Sequence, residues 1–312
     1  MKNKVLITST SFQDSPGDHH DLIKRIDWDI DFLRGPLSEG ELIKVIQDYD
    51  GIICGDDNYS SNVLSLGKRG RLKVLSKYGV GLDSIDINTA KSLGIKVLNC
   101  PSLNYVSVSE HVLALLFAFT KNIHSQYNSV QNYSWNRAVG NEISGMNIGI
   151  IGLGSVGKEL SRKSYLLGMN VYAHDMVFDN NFLKENPQIK FLKSIDEIYR
   201  TCDVISLNIP HNEKTNKLIN RNVLFKKMKK NVILINTSRA AIVDHKALID
   251  ALNDGTLKGY LTDVLLDEPI SKNEKLVGLK NVIITPHIAS RTHENIQKQG
   301  IQAIKNLYNN LI

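Results

Sequence analysis

The sequence predicts an α/β protein made of two doubly wound parallel-sheet domains, and three observations predict it. Short β-rich runs alternate with helix-like segments along most of the 312 residues, which is the rhythm of parallel strands joined by helical crossovers. The alternation is interrupted once, by Pro101 and a long apolar stretch, and resumes at residue 147. The chain is also longer than the range over which a single hydrophobic core keeps growing.

In the first alternation the β-type runs lie at 4–9 (KVLITS), 50–55 (DGIICG), 72–79 (LKVLSKYG) and 95–100 (IKVLNC). One intervening helix opens at a capping box formed by Ser38 and Glu41, and another closes at Gly94. After Pro101 comes SVSEHVLALLFAFTKNIHS, where Ser107 and Glu110 make a second capping box and residues 112–119 are apolar on nearly every side. Such a helix is expected to be buried all round, at a domain or subunit junction. The second alternation places strands at 147–151, 170–174, 203–208, 231–236, 259–264 and 281–285. Six strands of buried type make a complete dinucleotide-binding sheet. Ile301, Ile304, Leu307, Tyr308 and Leu311 recur at helical spacing, so the last segment reads as an amphipathic helix that packs back on the first domain.

Composition narrows the classes. With 42% hydrophobic and 22% charged residues the chain is of ordinary globular type. It shows neither a signal peptide nor a run long enough to span a membrane. The formal charge of +6 is carried by dispersed Lys and Arg, so no nucleic-acid partner is expected. The densest cluster, FKKMKKN at 225–231, reads as the basic C-terminal end of a helix. Cys54, Cys100 and Cys202 are far apart, which suits reduced thiols and a cytoplasmic location. No metal-ligand cluster is evident, and His19 and His20 read as solvated residues of an Asp-rich loop.

The chemistry begins at GIIGLGSVGKEL, where Gly152, Gly154 and Gly157 form G-x-G-x-x-G between a strand and a helix. The first glycine permits a tight turn, the second lets backbone approach a pyrophosphate, and the third lets helix and strand pack closely. Asp175 ends the next strand, where a carboxylate binds the adenosine ribose hydroxyls and repels a 2′-phosphate. No Arg follows it in HDMVFDN, so NAD is expected rather than NADP. In an open α/β sheet the ligand crevice lies beyond the carboxyl ends of the strands. Three residues sit just past such ends: Arg239 after VILINTS, Glu268 after YLTDVLLD, and His287 after VIITP. An acid/base histidine, a carboxylate to charge and orient it, and an arginine to clamp a carboxylate form a coherent set.

KYGVGLDSIDINTAKSLGIKVLNCP, SVSEHVLALLFA, GIIGLGSVG, NTSRAAIVD, DVLLDEP and TPHIAS together resemble the D-isomer-specific 2-hydroxyacid dehydrogenase family, in its phosphoglycerate-dehydrogenase-like branch. The resemblance runs from about residue 50 to the end. It implies a flavodoxin-like substrate domain of residues 1–101 plus 289–312, with a Rossmann-like NAD domain of residues 102–288 inserted into it. It also implies a homodimer, with the stretch around Trp135 as dimerisation arm, and a small 2-oxo or 2-hydroxy acid as substrate. Residue by residue, it makes His287 the acid/base, Glu268 its paired carboxylate and Arg239 the substrate clamp. Tyr78 and the backbone of Val80 and Gly81 fall in the loop that receives the substrate carboxylate. Ser155 and Val156 match the pyrophosphate turn, Pro210, Thr237 and Ser238 face the cofactor, and Asp263 matches a residue near the nicotinamide amide.

The chain departs from the family's common pattern at Asn208 and His211, at Ala240 and Ala241, and at Asp56 and Asp57, where true phosphoglycerate dehydrogenases tend to carry Arg for the phosphate. Arg291 and Lys77 lie close in sequence to site residues and could hold a second anion. The chain also leaves no room after His287 for a serine-sensing domain. Two rivals are disfavoured: a formate dehydrogenase has an amide at Glu268, and a short-chain dehydrogenase needs Tyr-x-x-x-Lys, which the sequence lacks. A phosphoglycerate dehydrogenase proper, and an NAD(H)-sensing binding protein without turnover, remain as alternatives.

Overall fold

The computed structural model describes residues 2–311 and divides into two compact units. Unit 1 holds the chain up to Asn104 and from Arg291 onward, and unit 2 is Tyr105–Ser290. Each is built on a wholly parallel sheet.

Unit 1 contains β1 (Asn3–Ile7), α1 (Thr10–Asp14), α2 (Asp18–Lys24), β2 (Trp28–Phe32), α3 (Glu39–Val45), β3 (Gly51–Cys54), α4 (Ser61–Arg69), β4 (Val74–Lys77), α5 (Ile87–Ser92) and β5 (Lys96–Leu98). Its strand order is β2-β1-β3-β4-β5. β1, β3 and β4 are the Val/Ile/Leu runs that burial on both faces demands. The capping box at Ser38 and Glu41 is formed. β2 had no counterpart in the sequence reading, because WDIDF alternates apolar residues with aspartates. It is an edge strand that pairs only with β1, so Asp31 can lie at the rim and accept from the Tyr49 hydroxyl at 2.9 Å.

Unit 2 opens with α6 (Tyr105–Thr120) and α7 (Ile123–Gln131). Its sheet follows with β6 (Asn147–Ile151), α8 (Ser155–Leu166), β7 (Asn170–His174), α9 (Asn180–Glu185), β8 (Lys190–Phe191), α10 (Ile195–Thr201), β9 (Val204–Leu207), β10 (Val232–Asn236), α11 (His245–Asn253), β11 (Leu257–Thr262) and β12 (Val282–Ile284). The order β12-β11-β10-β9-β6-β7-β8 contains the doubly wound dinucleotide-binding order 3-2-1-4-5-6 as β8-β7-β6-β9-β10-β11, with β12 as a seventh strand at the other edge; β8, two residues long, had no counterpart in the sequence reading. Two readings are corrected here. α6 begins two residues before Ser107, so Ser107 is a buried residue inside the helix and not its cap. Within the single chain, α6 leaves Glu110 and Ala114 exposed. The lysine-rich stretch forms only a short helical turn, Val223–Lys227, and its lysines pair with carboxylates: Lys227 with Asp196 at 3.0 Å and Lys229 with Asp203 at 2.6 Å.

The last helix, α12 (His293–Leu311), belongs to unit 1, where Ala303, Ile304, Leu307 and Leu311 pack with Val5, Ile7 and Ile53. Ser76 in β4 donates to the Ala303 carbonyl at 3.0 Å, which ties the helix to the sheet.

His19 overturns the solvated reading. It shares the buried face of α2 with Ile23, four residues on, and is fully buried. Its Nε2–H donates to the Phe12 carbonyl at 3.1 Å, the same oxygen that His20 reaches at 2.6 Å, and its ring lies edge-on to Phe12 at 4.6 Å. Nδ1 has no hydrogen-bond partner among the described residues. Burial therefore holds the pKa below the ordinary 6.5, against the Phe12 carbonyl, which raises it. Because the unfolded chain takes up a proton that the folded chain refuses, stability from His19 is present above the unfolded pKa and is lost as pH falls below it. Melting temperatures at pH 7.5 and 5.5 should thus fall less steeply in His19→Gln than in the wild type. Equal slopes in the two proteins would remove His19 from the acid sensitivity.

Candidate active site

The glycine turn is forced by contact. Gly152 follows β6 at φ +97°, and a Cβ there would lie 2.4 Å from the Asn208 carbonyl oxygen. A Cβ at Gly157 would lie 2.0 Å from the Gly152 oxygen. No side chain fits either position. Gly154 is the N-cap of α8, and a Cβ added there meets nothing within 4 Å, so the middle of the turn is open to a ligand. The first turn of α8, which includes Ser155 and Val156, begins at this opening, and N–H groups of a first helical turn favour anions. Asp175, the residue after β7, accepts the Leu153 N–H at 2.6 Å and the Val177 N–H at 2.9 Å. The carboxylate thus braces the glycine turn itself.

The three predicted charged residues also meet. His287 Nδ1 lies 2.6 Å from Glu268 Oε2, and Glu268 Oε1 accepts the Leu265 N–H at 2.8 Å. The carboxylate is therefore oriented by backbone before it orients the imidazole. The hydrogen bond from Glu268 is the largest influence on His287 and holds its pKa above the ordinary value, over the opposing effects of burial and of the Arg239 charge. Arg239 follows β10, where its carbonyl accepts from Asn236 Nδ2 at 3.0 Å and its Nη1 donates to the Ser238 carbonyl at 2.7 Å. Ser238 Oγ donates to Leu207 at 2.7 Å, and Thr237 is half-buried beside it. Pro210 is exposed on the loop after β9, its carbonyl accepting from Thr215 at 2.7 Å.

Asp263 faces the histidine turn. Fully buried, it accepts the Thr285 hydroxyl at 2.6 Å, the Ile288 N–H at 2.9 Å and the Ala289 N–H at 2.7 Å. The turn it holds carries His287 at φ +54°, a left-handed conformation that side chains other than glycine seldom adopt. The sequence reading missed His111, on α6. Its Nε2 lies 2.9 Å from Thr285 Oγ1. Since the single hydroxyl proton goes to Asp263, the imidazole N–H donates. Burial lowers the His111 pKa, opposed by Asp263, and so favours the neutral ring. Its one sequence signal was an imidazole set in an otherwise apolar helix face.

In unit 1, the loop after β4 carries Tyr78, Val80 and Gly81. The Tyr78 hydroxyl donates to the Ile296 carbonyl of α12 at 2.9 Å, which ties the start of the loop to that helix. Val80 is exposed, and its carbonyl accepts from Asn99 at 2.7 Å. Among the described residues, no group of three or more His, Cys, Asp or Glu could hold a metal ion.

A family model for the NAD binding domain of D-isomer specific 2-hydroxyacid dehydrogenases matches residues 113–289. The chain belongs to that family. It is 36% identical over 276 residues to a D-3-phosphoglycerate dehydrogenase of Archaeoglobus fulgidus, covering 88% of this chain and 51% of the relative. The chain thus spans about half the length of that relative. It is 31% identical over 280 residues to a hydroxypyruvate reductase of Thermotoga maritima, covering 88% and 89%. The solved structure of the TT0316 protein from Thermus thermophilus superposes with a TM-score of 0.88 at 30% identity, covering 99% of this chain and 96% of that one. The family's doubly wound architecture and its NAD binding domain are therefore those of this chain.

Asp263→Asn should cost about 1–3 kcal/mol, because one backbone N–H of the turn would then face an amide N–H₂. Urea unfolding would show this as a lower midpoint with unchanged slope. An unmoved midpoint would mean that the turn holds itself.

Proposed function

We propose that the protein is an NAD-dependent D-2-hydroxyacid dehydrogenase acting as a reductase of small 2-oxoacids. The observation that carries the reading is the 2.6 Å contact of His287 with Glu268 in the field of Arg239. The open glycine turn, the start of α8 and the adjoining Asp175 suit a dinucleotide pyrophosphate and ribose. Bound NADH supplies the hydride. His287 holds a proton for the developing alkoxide at Nε2, because Nδ1 is engaged by Glu268. Glu268 favours the charged ring, so the acid form persists to higher pH. Arg239 binds the substrate carboxylate and polarises its carbonyl, a cation worth most where water is excluded. In the reverse direction the neutral imidazole receives the hydroxyl proton.

In this reading unit 2 is the NAD domain and unit 1 the substrate domain, with boundaries close to residues 101 and 289. The backbone of Val80 and Gly81 takes the substrate carboxylate, and Ser155, Val156, Pro210, Thr237 and Ser238 line the cofactor. A homodimer is supported by the exposure of Ile123, Tyr127, Val130, Tyr133 and Trp135 on α7 and the arm after it, an apolar set that a second copy would cover. A cytoplasmic location is supported by the cysteines, all three buried and free. No described helix is long and apolar enough to cross a membrane.

The decisive experiment is NADH oxidation by the purified protein against a panel of 2-oxoacids, phosphorylated and not. His287→Ala should lower turnover on the order of 10²–10⁴-fold. Binding of NADH with no turnover of any 2-oxoacid would favour a sensing protein instead. Arg239→Met should cost on the order of 10²–10³ in rate. With Glu268→Gln, the pH above which reduction declines should move downward, because the imidazole loses the partner that keeps it protonated. An unchanged pH profile would separate Glu268 from the proton transfer.

A further inference from the structure

The carboxyl edge of the unit 1 sheet carries charges that this reaction does not use. Lys77 ends β4 and immediately precedes the loop of Val80 and Gly81. Its side chain is only 4% exposed, and its stem runs beneath the loop, with Cε 3.9 Å from where a Cβ on Gly79 would stand. The ammonium donates to the Gly55 carbonyl and to Asp56 Oδ1, both at 2.5 Å. A cation buried under a carboxylate-binding loop would be a natural seat for a second anion, since Lys is a strong point-charge partner for phosphate.

Asp56 changes that. Its side chain is 81% exposed, so a buried positive charge is presented to solvent as a pair whose outer member is negative. The neighbouring Asp57 takes no part, because it is buried and its oxygens accept from the Thr8 hydroxyl, the Leu37 N–H at 2.7 Å and the Gly55 N–H at 3.1 Å. Arg34, another cation of this edge, is held by both oxygens of Asp14 at 2.7 and 2.9 Å. Arg291 is exposed and acts on the same Asp14 carboxylate. At the Asp56–Lys77 pair, a substrate tail bearing phosphate or a second carboxylate would therefore meet an outward carboxylate and a cation that is already engaged. An uncharged tail meets no such opposition.

We propose that the Asp56–Lys77 pair is a specificity filter that admits 2-oxoacids with a small uncharged tail and rejects those with a second anionic group, phosphate above all. The proposal rests on the reductase reading above. Like charges brought together at a binding site oppose association, and an exposed carboxylate does so through screened, salt-dependent forces.

The test compares kcat/KM for NADH-dependent reduction of hydroxypyruvate and of 3-phosphohydroxypyruvate by the full-length protein. The wild type should prefer hydroxypyruvate. In Asp56→Asn the ratio should move roughly tenfold toward the phosphorylated substrate, chiefly through its KM, and the added Lys77→Met change should cancel the gain. Hydroxypyruvate turnover in each variant reports that it is folded. A second measurement needs no variant: raising the ionic strength should narrow the wild-type preference, whereas rejection by shape alone would be unmoved. A wild type that prefers the phosphorylated substrate, or a ratio that neither Asp56→Asn nor salt changes, overturns the filter while leaving the reductase intact. Absence of turnover with every 2-oxoacid overturns the reductase reading, and the filter with it.

Discussion

The site in unit 2 depends on one buried carboxylate. Asp263, the residue after β11, gathers the Thr285 hydroxyl and the N–H groups of Ile288 and Ala289. Those three donors bracket His287, whose left-handed backbone has an intrinsic cost of roughly 1–3 kcal/mol. Such a conformation persists only when its neighbours fix it. His111 completes the arrangement from α6, since its N–H occupies the Thr285 oxygen and leaves the hydroxyl proton for Asp263. A helix some 170 residues earlier in sequence therefore helps to set where the imidazole points.

The same device recurs at several other strand ends among the described residues. Crossovers leave backbone N–H groups stranded beyond the sheet, and buried ones need partners. At the carboxyl edges Asp57 takes those of Leu37 and Gly55, Asp175 those of Leu153 and Val177, and Asp263 those of Ile288 and Ala289. At the amino edges Asp50 takes the N–H of Lys4 and Asp203 that of Asn147, each at 2.8–2.9 Å. Ionised acceptors make stronger hydrogen bonds than neutral ones. The loops beyond these strand ends are thus pinned close to their roots, while residues such as Gly154 and Val80 stay open.

The readable parts of the sequence were those governed by local rules. Both-face burial made the central strands legible as Val/Ile/Leu runs, and the contacts of Gly152 and Gly157 explain why the glycine motif stood out. Arg239, Glu268 and His287 could be grouped because strand ends converge in a parallel sheet. What escaped depends on tertiary partners. WDIDF was not read as a strand because an edge strand tolerates aspartates at its rim, and His19 looked solvated because its burial is decided by α12 packing on α2. The partner of the Tyr78 hydroxyl, the Ile296 carbonyl of α12, lies 218 residues further along, and nothing local in the sequence announces it.

The state of the His287–Glu268 pair bears on how the chemistry gains its strength. The hydrogen bond is already 2.6 Å long although both side chains are partly exposed, at 42% and 37%. Glu268 is itself fixed by the Leu265 N–H, so little reorganisation remains to be made when a substrate arrives. At that exposure water weakens the hold of Glu268 on the imidazolium and would weaken that of Arg239 on a carboxylate. Ligands that displace this water would strengthen both attractions. They would also strengthen the opposition of Arg239 to a charged His287. Under the proposed function, a substrate carboxylate seated on Arg239 would cancel that opposition, so that the ring would be easiest to protonate when the molecule that needs the proton is bound.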